Sequence, residues 1–475
     1  MITVDKERNI PIYLQIYNQI KEQIISGQLE KGSVLLSTRN LARTLQVSRN
    51  TVESAYQQLC SEGYVSSKVC SGYIVQKVEV SLYHQFSSQR KQSLSEVLKE
   101  FHEQGVKPPA KYNFQYGRLN LEDFPLATWR KMINRVLSSE ENNCLCAYND
   151  RLGEADLRVE IMKYLYHSRG VSCKPEQIIL CSGTLSCLSI ICQLFMDQDR
   201  KIAVEEPCYD SARILFQNHG FQVSPIELEE DGLDIGKLNH TSSKLIYATP
   251  SHQFPTGTVM PINKRLKLIE WAGKNDAYII EDDYDSELRY NSRPIPSMSS
   301  LDNKGRVIYM NTFSKSFAPA LRMSFIVLPY SLLEKYKMNW SKYNCNVPWL
   351  EQKAMYLFMK EGNWERHLRK ICLLNKRKHD ALVNSIHQYM KDRVTIHGKN
   401  AGLHILLEVN NQMSEKLLIE KAAGVNVKVY PVSNYWANPQ NYTDNMVLMG
   451  FSGLSEEEII EGIQLLESVW FDSPS

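Results

Sequence analysis

Long apolar runs are missing from this chain of 475 residues. No stretch reaches the roughly 18 consecutive apolar residues that a membrane-spanning helix needs, so no membrane partner is expected. The opening residues carry no secretory-leader pattern. An excess of one charge is missing too. Against 55 Lys+Arg stand 53 Asp+Glu, a net charge of +2, so no global field selects a partner. The eleven cysteines lack metal-ligand spacing: Cys144 and Cys146 are two apart, and Cys181, Cys187 and Cys192 lie in an apolar, helix-like run. No metal is expected, and the cysteines read as reduced core thiols of a cytoplasmic protein. What is left is an ordinary soluble composition, 43% hydrophobic and 23% charged, in a length that calls for two or three domains.

The first segment to carry information is "PIYLQIYNQIKEQIISGQL". From Ile16 onward its apolar residues have helical spacing, and Gly27 ends the helix. A short link follows, then a second helix over "TRNLARTLQ" and a third over "VSRNTVESAYQQLCSEGY" with Ser48 as N-cap. Two short helices joined by a tight turn make a helix-turn-helix. After Gly63, "YVSSKVCSGYIVQ" gives two short strands around a polar turn with Gly72, a hairpin wing. From Lys31 to Lys77 there are six basic residues (Lys31, Arg39, Arg43, Arg49, Lys68, Lys77) against Glu53 and Glu62, a local net charge of +4. A basic winged helix suits double-stranded DNA, with phosphates supplying affinity and base edges sequence choice. Ser48, Arg49, Asn50 and Thr51 stand at the start of the third helix, the end that enters the major groove in such motifs. Arg39 opens the second helix; Lys68 and Gly72 belong to the wing.

Residues 78–112 are polar, rich in Ser, Gln and Lys, and contain Pro108-Pro109. They read as a linker, with a helical fragment over Leu94–Phe101. The domains expected are therefore 1–77, the linker 78–112, and 113–475.

From Asn113 on, apolar strands alternate with helical stretches. "QIILCSG", "RKIAVEEP", "KLIYATPS", "AYIIEDDYD", "RVIYMNTFSK" and "MSFIVLP" are short apolar runs that suit a mostly parallel sheet covered on both faces, an α/β fold. Sites in such sheets gather at strand C-terminal ends. After the first run come Gly183, Thr184 and Leu185 at a helix start, an anion site of backbone N–H groups and a hydroxyl. After the second comes Tyr209, a ring able to stack on an aromatic cofactor. After the fourth come Asp282 and Tyr284, placed by alternation on one face, with Glu281 and Asp283 on the other. After the fifth comes "NTFSKSFAPALRM". Lys315 there can attack an aldehyde if its pocket is partly dry. Thr312, Ser314 and Arg322 can hold a phosphate. Aldehyde and phosphate together mean pyridoxal 5′-phosphate, and a carboxylate at Asp282 would keep its ring nitrogen protonated.

These motifs carry two family resemblances. The segment from Pro11 to Val75 resembles the GntR-type winged helix, with Leu36-Ser37 where that family usually has Pro-Ser. The stretches "FPLATWRKMINRVL", "GEADLRVEIMKYLYHSRGV", "SGT", "EEPCY", "ATPSHQFPTGTVMP", "IIEDDYDSE", "TFSKS" and "GLHILLEV" resemble the fold-type I aminotransferases. Together they resemble the MocR branch of the GntR superfamily. The resemblance implies a large domain with a mostly parallel central sheet and a smaller C-terminal α+β part. It implies an internal aldimine at Lys315, Asp282 on the pyridine nitrogen, Tyr284 on the ring oxygen and Arg322 on the phosphate. It also implies a head-to-tail homodimer with exchanged winged helices.

The departures bear on function. Aminotransferases usually have Asn in the "NPTG" turn; this chain has Phe254. Arginines that clamp a carboxylate in related chains are replaced by Ser211, Asn434 and Gly453, with Arg213 as a possible substitute. Tyr435 and Trp436 suggest an aromatic lining instead. The expectation is a transcription regulator that binds operator DNA and senses an amino compound, or pyridoxal phosphate itself. The alternatives are an aminotransferase with real turnover and a DNA-binding scaffold with a dead dimerisation module.

Overall fold

The structure is a computed structural model that describes residues 2–7, 9–68, 72–79, 99, 110–139, 144–290, 295–340 and 343–471. The expected linker lies almost entirely outside the described residues, and its helical fragment Leu94–Phe101 lies outside except at Lys99. The chain divides into two compact units, Met1–Lys107 and Pro108–Ser475.

The first unit is built from α1 (Ile12–Ile25), α2 (Thr38–Leu45), α3 (Arg49–Ser61) and the hairpin strands β1 (Val65–Lys68) and β2 (Gly72–Val75). Ser48 caps α3 by accepting a hydrogen bond from the Thr51 N–H at 3.1 Å, and Ser37 caps α2 through Asn40 N–H at 3.2 Å. Such caps satisfy helix-start donors that would otherwise be orphaned. Ile16, Ile20, Val52, Ala55 and Leu59 form a fully buried core. Their burial sends Arg39, Arg43, Ser48, Arg49 and Asn50 to the surface, where all five are exposed, with Lys68 and Gly72 exposed on the hairpin. Thr51 is half-buried, its hydroxyl held by Ser48 Oγ at 2.8 Å.

In the second unit β3 (Tyr112–Asn113) pairs with β14 (Val427–Lys428). The main sheet has β4 (Ile178–Cys181), β5 (Lys201–Glu206), β6 (Gln222–Glu229), β7 (Gly232–Leu233), β8 (Leu245–Ala248), β9 (Tyr278–Asp282), β10 (Val307–Thr312) and β11 (Ser324–Val327). Their order is β4-β11-β10-β9-β8-β5-β6-β7. From β10 through β6 neighbouring strands run parallel. β11 runs antiparallel to both of its neighbours. The six apolar runs read from the sequence are all strands. Two more, β6 and β7, extend the sheet; β6 contains Pro225 and has mixed burial, so it lacks the apolar continuity that marks the others. A smaller sheet of β12 (Val394–His397), β13 (His404–Val409) and β15 (Met446–Gly450) is antiparallel and packs its own core with the helix Glu456–Phe471.

The cysteines divide. Cys181, Cys187, Cys192 and Cys208 are buried, and the ten described cysteines are free thiols. Cys144 and Cys146, expected in the core, are exposed, because they lie in a short 3-10 turn rather than in a packed element. Among the described residues no helix is long and apolar enough to cross a membrane.

One buried ion pair locks the end of β9 to the helix Ala155–Arg169. Arg169 donates to Asp283 through Nε at 2.7 Å and Nη2 at 2.9 Å. Tyr309 Oη adds a third bond at 2.7 Å. Burial alone would raise the Asp283 carboxyl, but the Arg169 guanidinium holds it below its ordinary value. Glu281, beside it, accepts from the Met298 and Ser299 N–H groups. Both of these buried acids are thus structural, and Asp282 and Tyr284 are left for the opposite face. Removing one partner of a buried pair strands the other charge and costs about 3–5 kcal/mol. Arg169→Met is expected to lower the unfolding free energy of the second unit, read from urea titration, by a margin of that size; an unchanged value would contradict a locking role.

Candidate functional site

Strand register brings together residues far apart in sequence. β4, β8, β9 and β10 deliver their C-terminal ends to one edge of the sheet. β11 is antiparallel, so its beginning lies at that same edge, with Ser324 opposite both Cys181 and Thr312. The residue two before Ser324 is Arg322, and two after Cys181 is Gly183. The guanidinium and the glycine therefore meet.

The contact is close. A Cβ built on Gly183 would stand 2.1 Å from Arg322 Nη2, and Gly183 has φ +94°. Only glycine serves both constraints. Arg322 itself has φ +50°, a left-handed conformation that costs a non-glycine residue energy and clusters at functional sites. Gly183 precedes the helix Thr184–Leu194, whose first N–H groups have no acceptor within the helix. Thr312 Oγ1 accepts from Ser324 Oγ at 3.0 Å and from the Ser314 N–H at 3.2 Å. The guanidinium, the helix-start N–H groups and the Thr184 hydroxyl form a cup of donors suited to a phosphate, braced by the Thr312 hydroxyl, which itself donates to the Met323 carbonyl at 3.4 Å.

The cup opens into a cavity of about 290 Å³ lined by Tyr116, Thr184, Leu185, Tyr209, Tyr247, Thr249, Phe254, Asp282, Tyr284, Thr312, Ser314, Lys315 and Arg322. Every residue read from the sequence as cofactor-binding is in that lining except Gly183, which backs Arg322. Tyr116, Tyr247 and Thr249 were not singled out. An aromatic residue inside an apolar strand, as Tyr247 is, carries no sign in the sequence that its hydroxyl has work to do.

Asp282 is almost wholly buried. Its Oδ2 accepts from Tyr247 Oη at 2.7 Å, while its Oδ1 is buried with no hydrogen-bond partner. Burial pushes its carboxyl up to about 7, against the Tyr247 bond that lowers it. A buried acceptor left unpaired is costly, and an N–H⁺ in the cavity would satisfy it. Lys315 is half-buried. Its Nζ lies 3.8 Å from the centroid of the Tyr116 ring. Loss of hydration lowers the amine to about 8; Asp285 and Asp282 oppose that shift and Arg322 adds to it. Next to Tyr116, Gly117 has φ +79°, and a Cβ there would stand 2.8 Å from Lys315 Nζ. Tyr284 Oη donates to the His252 carbonyl at 3.0 Å and lies 3.1 Å from His252 Nδ1. His252 Nδ1 in turn is 2.8 Å from Asp285 Oδ2. The donors, the unpaired carboxylate oxygen and the low-pKa amine fit pyridoxal phosphate.

Above them the lining is aromatic. Phe254 meets Tyr116 at 5.4 Å, Tyr209 at 6.0 Å and Tyr435 at 4.9 Å between ring centroids. Tyr435 and Trp436 are both absent from the cavity lining; Tyr435 packs on Phe254 and Trp436 on Tyr442 at 5.0 Å. Arg213 does not stand in for a carboxylate clamp either. Its Nη1 and Nη2 donate to the backbone carbonyls of Tyr435 and Asn434, at 3.1 and 2.6 Å. Its charge is spent on holding that loop.

Two family descriptions match the chain. "Bacterial regulatory proteins, gntR family" covers residues 12–75, and "Aminotransferase class I and II" covers 111–430. The HTH-type transcriptional regulator YdeL of Bacillus subtilis is 40% identical over 471 residues, 98% of each chain. The probable rhizopine catabolism regulatory protein MocR of Rhizobium meliloti is 31% identical over 477 residues, covering 99% of this chain and 96% of its own. The chain belongs to the MocR-type regulators. Its large unit shares the fold of Pyrococcus horikoshii kynurenine aminotransferase, with a TM-score of 0.69 at 24% identity over 82% of this chain and 97% of that one. Within this MocR-type chain the catalytic-enzyme fold and the DNA-reader fold are both present, and the relatives' names favour regulation.

Two outcomes follow from the geometry. Gly183→Ala must displace the Arg322 guanidinium, and losing charge-assisted bonds of that kind costs roughly 10- to 100-fold in affinity. Retention of pyridoxal phosphate after dialysis, read by absorbance, should fall accordingly; full retention would contradict the cup. The rate at which the cofactor-free protein captures pyridoxal phosphate should rise with pH through a midpoint near 8, because the uncharged amine is the nucleophile. A midpoint near the ordinary lysine value of 10.5 would show that Lys315 is not the capturing group.

Proposed function

We propose that this chain is a pyridoxal phosphate-dependent transcription regulator of the cytoplasm. Its winged helix binds operator DNA, and its large unit holds the cofactor at Lys315 and answers to an amino compound or to the cofactor itself. It acts as a homodimer with exchanged winged helices. One observation carries the reading. Lys315, the unpaired Asp282 oxygen and the Arg322–Gly183 cup line or back one cavity, in a chain whose other unit presents a basic helix start to solvent.

The bound cofactor supplies an aldehyde and an electron-withdrawing ring. The protein does the rest. Arg322, Thr184 and Ser314 would hold the phosphate, Asp282 would hold the ring nitrogen, and Tyr209 would pack on the ring. An incoming amine would compete with Lys315 for the aldehyde, and the Tyr116 ring face and the field of Asp285 and Asp282 would stabilise the Lys315 side chain as an ammonium. Such competition shifts DNA affinity only if the effector binds one arrangement of the protein better than another.

Against efficient aminotransferase turnover stand Phe254, which places a ring where a ring-oxygen donor is expected, and the absence of arginine at 211, 434 and 453. A relative that is 28% identical, the pyridoxine biosynthesis transcriptional regulator PdxR of Corynebacterium glutamicum, supports the version in which the cofactor is itself the signal.

On the DNA side, Arg49 is the exposed arginine at the start of the reading helix. Arg49→Ala is expected to weaken operator binding by about 1–3 kcal/mol, the worth of one bidentate base contact, with little change on unrelated DNA. Equal binding of both proteins to operator in a gel-shift titration would place the reading helix elsewhere. Lys315→Ala should lose the visible absorbance of lysine-bound cofactor yet keep non-specific DNA binding; unchanged absorbance would rule out Lys315.

A further inference from the structure

We propose that His252 is a positioning residue for the cofactor's ring oxygen: through Nδ1 it orients the Tyr284 hydroxyl, and Asp285 holds the imidazole for that task. The inference rests on the reading that pyridoxal phosphate is held at Lys315 with its ring oxygen beside Tyr284.

The turn around Phe254 offers the cavity no side-chain donor at that position. Two residues earlier the same turn carries His252, which acts on the cavity indirectly. His252 Nδ1 lies 2.8 Å from Asp285 Oδ2 and 3.1 Å from Tyr284 Oη. A carboxylate oxygen only accepts, so Nδ1 carries the hydrogen and shares it between the two. A lone pair of the Tyr284 oxygen is thereby occupied, and the hydroxyl's own proton must point away from the imidazole. In this structure it goes to the His252 carbonyl at 3.0 Å. An anionic ring oxygen accepts more strongly than a peptide carbonyl, and Tyr284 lines the cavity.

Two features mark a setting built around Nδ1. His252 Nε2 is buried with no hydrogen-bond partner, so the imidazole does not bridge two parts of the fold, as a structural histidine with both nitrogens engaged would. Glycines keep the space for it. At Gly402, with φ +78°, an added Cβ would stand 2.2 Å from His252 Cε1 and 2.7 Å from Asp285 Oδ2; at Gly257 it would stand 3.2 Å from His252 Nε2. The other titratable ring facing His252 is His404, at 5.4 Å between centroids. It donates to the Pro255 carbonyl at 3.0 Å, and burial lowers it to about 3, so it brings no charge. Asp285 also acts on Lys315 through its field, so the test leaves Asp285 unaltered.

The test is a pH titration of the visible absorbance of the pyridoxal phosphate-loaded full chain. Its midpoint reports how firmly the lysine–cofactor linkage keeps its proton beside the ring oxygen. A donor on that oxygen loosens the hold and lowers the midpoint. Tyr284→Phe should therefore raise the midpoint by about one pH unit or more, the size expected for a hydrogen bond to a charged group. His252→Gln, whose amide does not occupy the Nδ1 place, should raise it in the same direction, and should add nothing in the Tyr284→Phe background. His252→Asn, whose amide nitrogen takes the Nδ1 place, should bring the midpoint back toward that of the unaltered protein. A shift in Tyr284→Phe with none in His252→Gln, or an equal further shift in the double variant, overturns the assignment while leaving cofactor binding intact. If the unaltered protein shows no visible band, or Tyr284→Phe moves no midpoint, the underlying reading fails and this inference falls with it. Should His252→Gln not fold, nitrogen NMR of the histidine-labelled full chain decides, with the His252 signal assigned by its loss in His252→Asn. A ring protonated at Nδ1 at neutral pH is expected; one protonated at Nε2 alone overturns the proposal.

Discussion

The large unit depends on a carboxylate that is buried and only half satisfied. Asp282 Oδ1 has no protein partner, and Tyr247 binds only the other oxygen. Buried polar groups are nearly always paired, and the exceptions ask for a reason. Here the reason is local. The neighbours Glu281 and Asp283 are fully engaged on the other side of the strand, by backbone N–H groups and by Arg169. The sheet edge is thus rigid on one face and deliberately incomplete on the other. A protonated ring nitrogen would complete it, and the Lys315 amine and the Arg322 cup are placed to take the two remaining ends of such a molecule.

Much of this was legible in the sequence because parallel strands buried on both faces read as unbroken apolar runs, and because chemistry follows their C-terminal ends. Thr184, Tyr284 and Lys315 follow such a strand by two or three residues, Arg322 precedes one by two, and Asp282 ends one. Other features were not legible. β6 alternates and contains Pro225, so it lacks the run. Arg169 and Asp283 are 114 residues apart, and no local pattern announces their pairing. Tyr116 lies before the first strand of the main sheet, yet its ring covers the reactive amine. The assignment of Cys144 and Cys146 to the core failed because thiols in a short exposed turn look no different in sequence from thiols in a helix.

The departures from the aminotransferase pattern now have physical content. Phe254 sits in a ring of aromatic contacts with Tyr116, Tyr209 and Tyr435, which shields the cavity while offering no donor to the ring oxygen. Arg213, which its place two residues past Ser211 nominates as a replacement clamp, donates to backbone carbonyls. A site with no donor at 254 and no free arginine at 213 suits a sensor better than a catalyst, since a sensor needs a difference in binding between two states and not repeated turnover. The winged helix obeys a separate constraint: a small apolar core around Ile16, Ile20 and Leu59 leaves its basic residues outside, where phosphates can reach them.

The central claim is that Lys315 captures the aldehyde of pyridoxal phosphate in this cavity. Borohydride reduction of the loaded protein, followed by peptide mass mapping, tests it most directly. The expected result is a single phosphopyridoxyl label on the peptide that contains Lys315. A protein that takes up no label, or carries it on a different lysine, would contradict the claim.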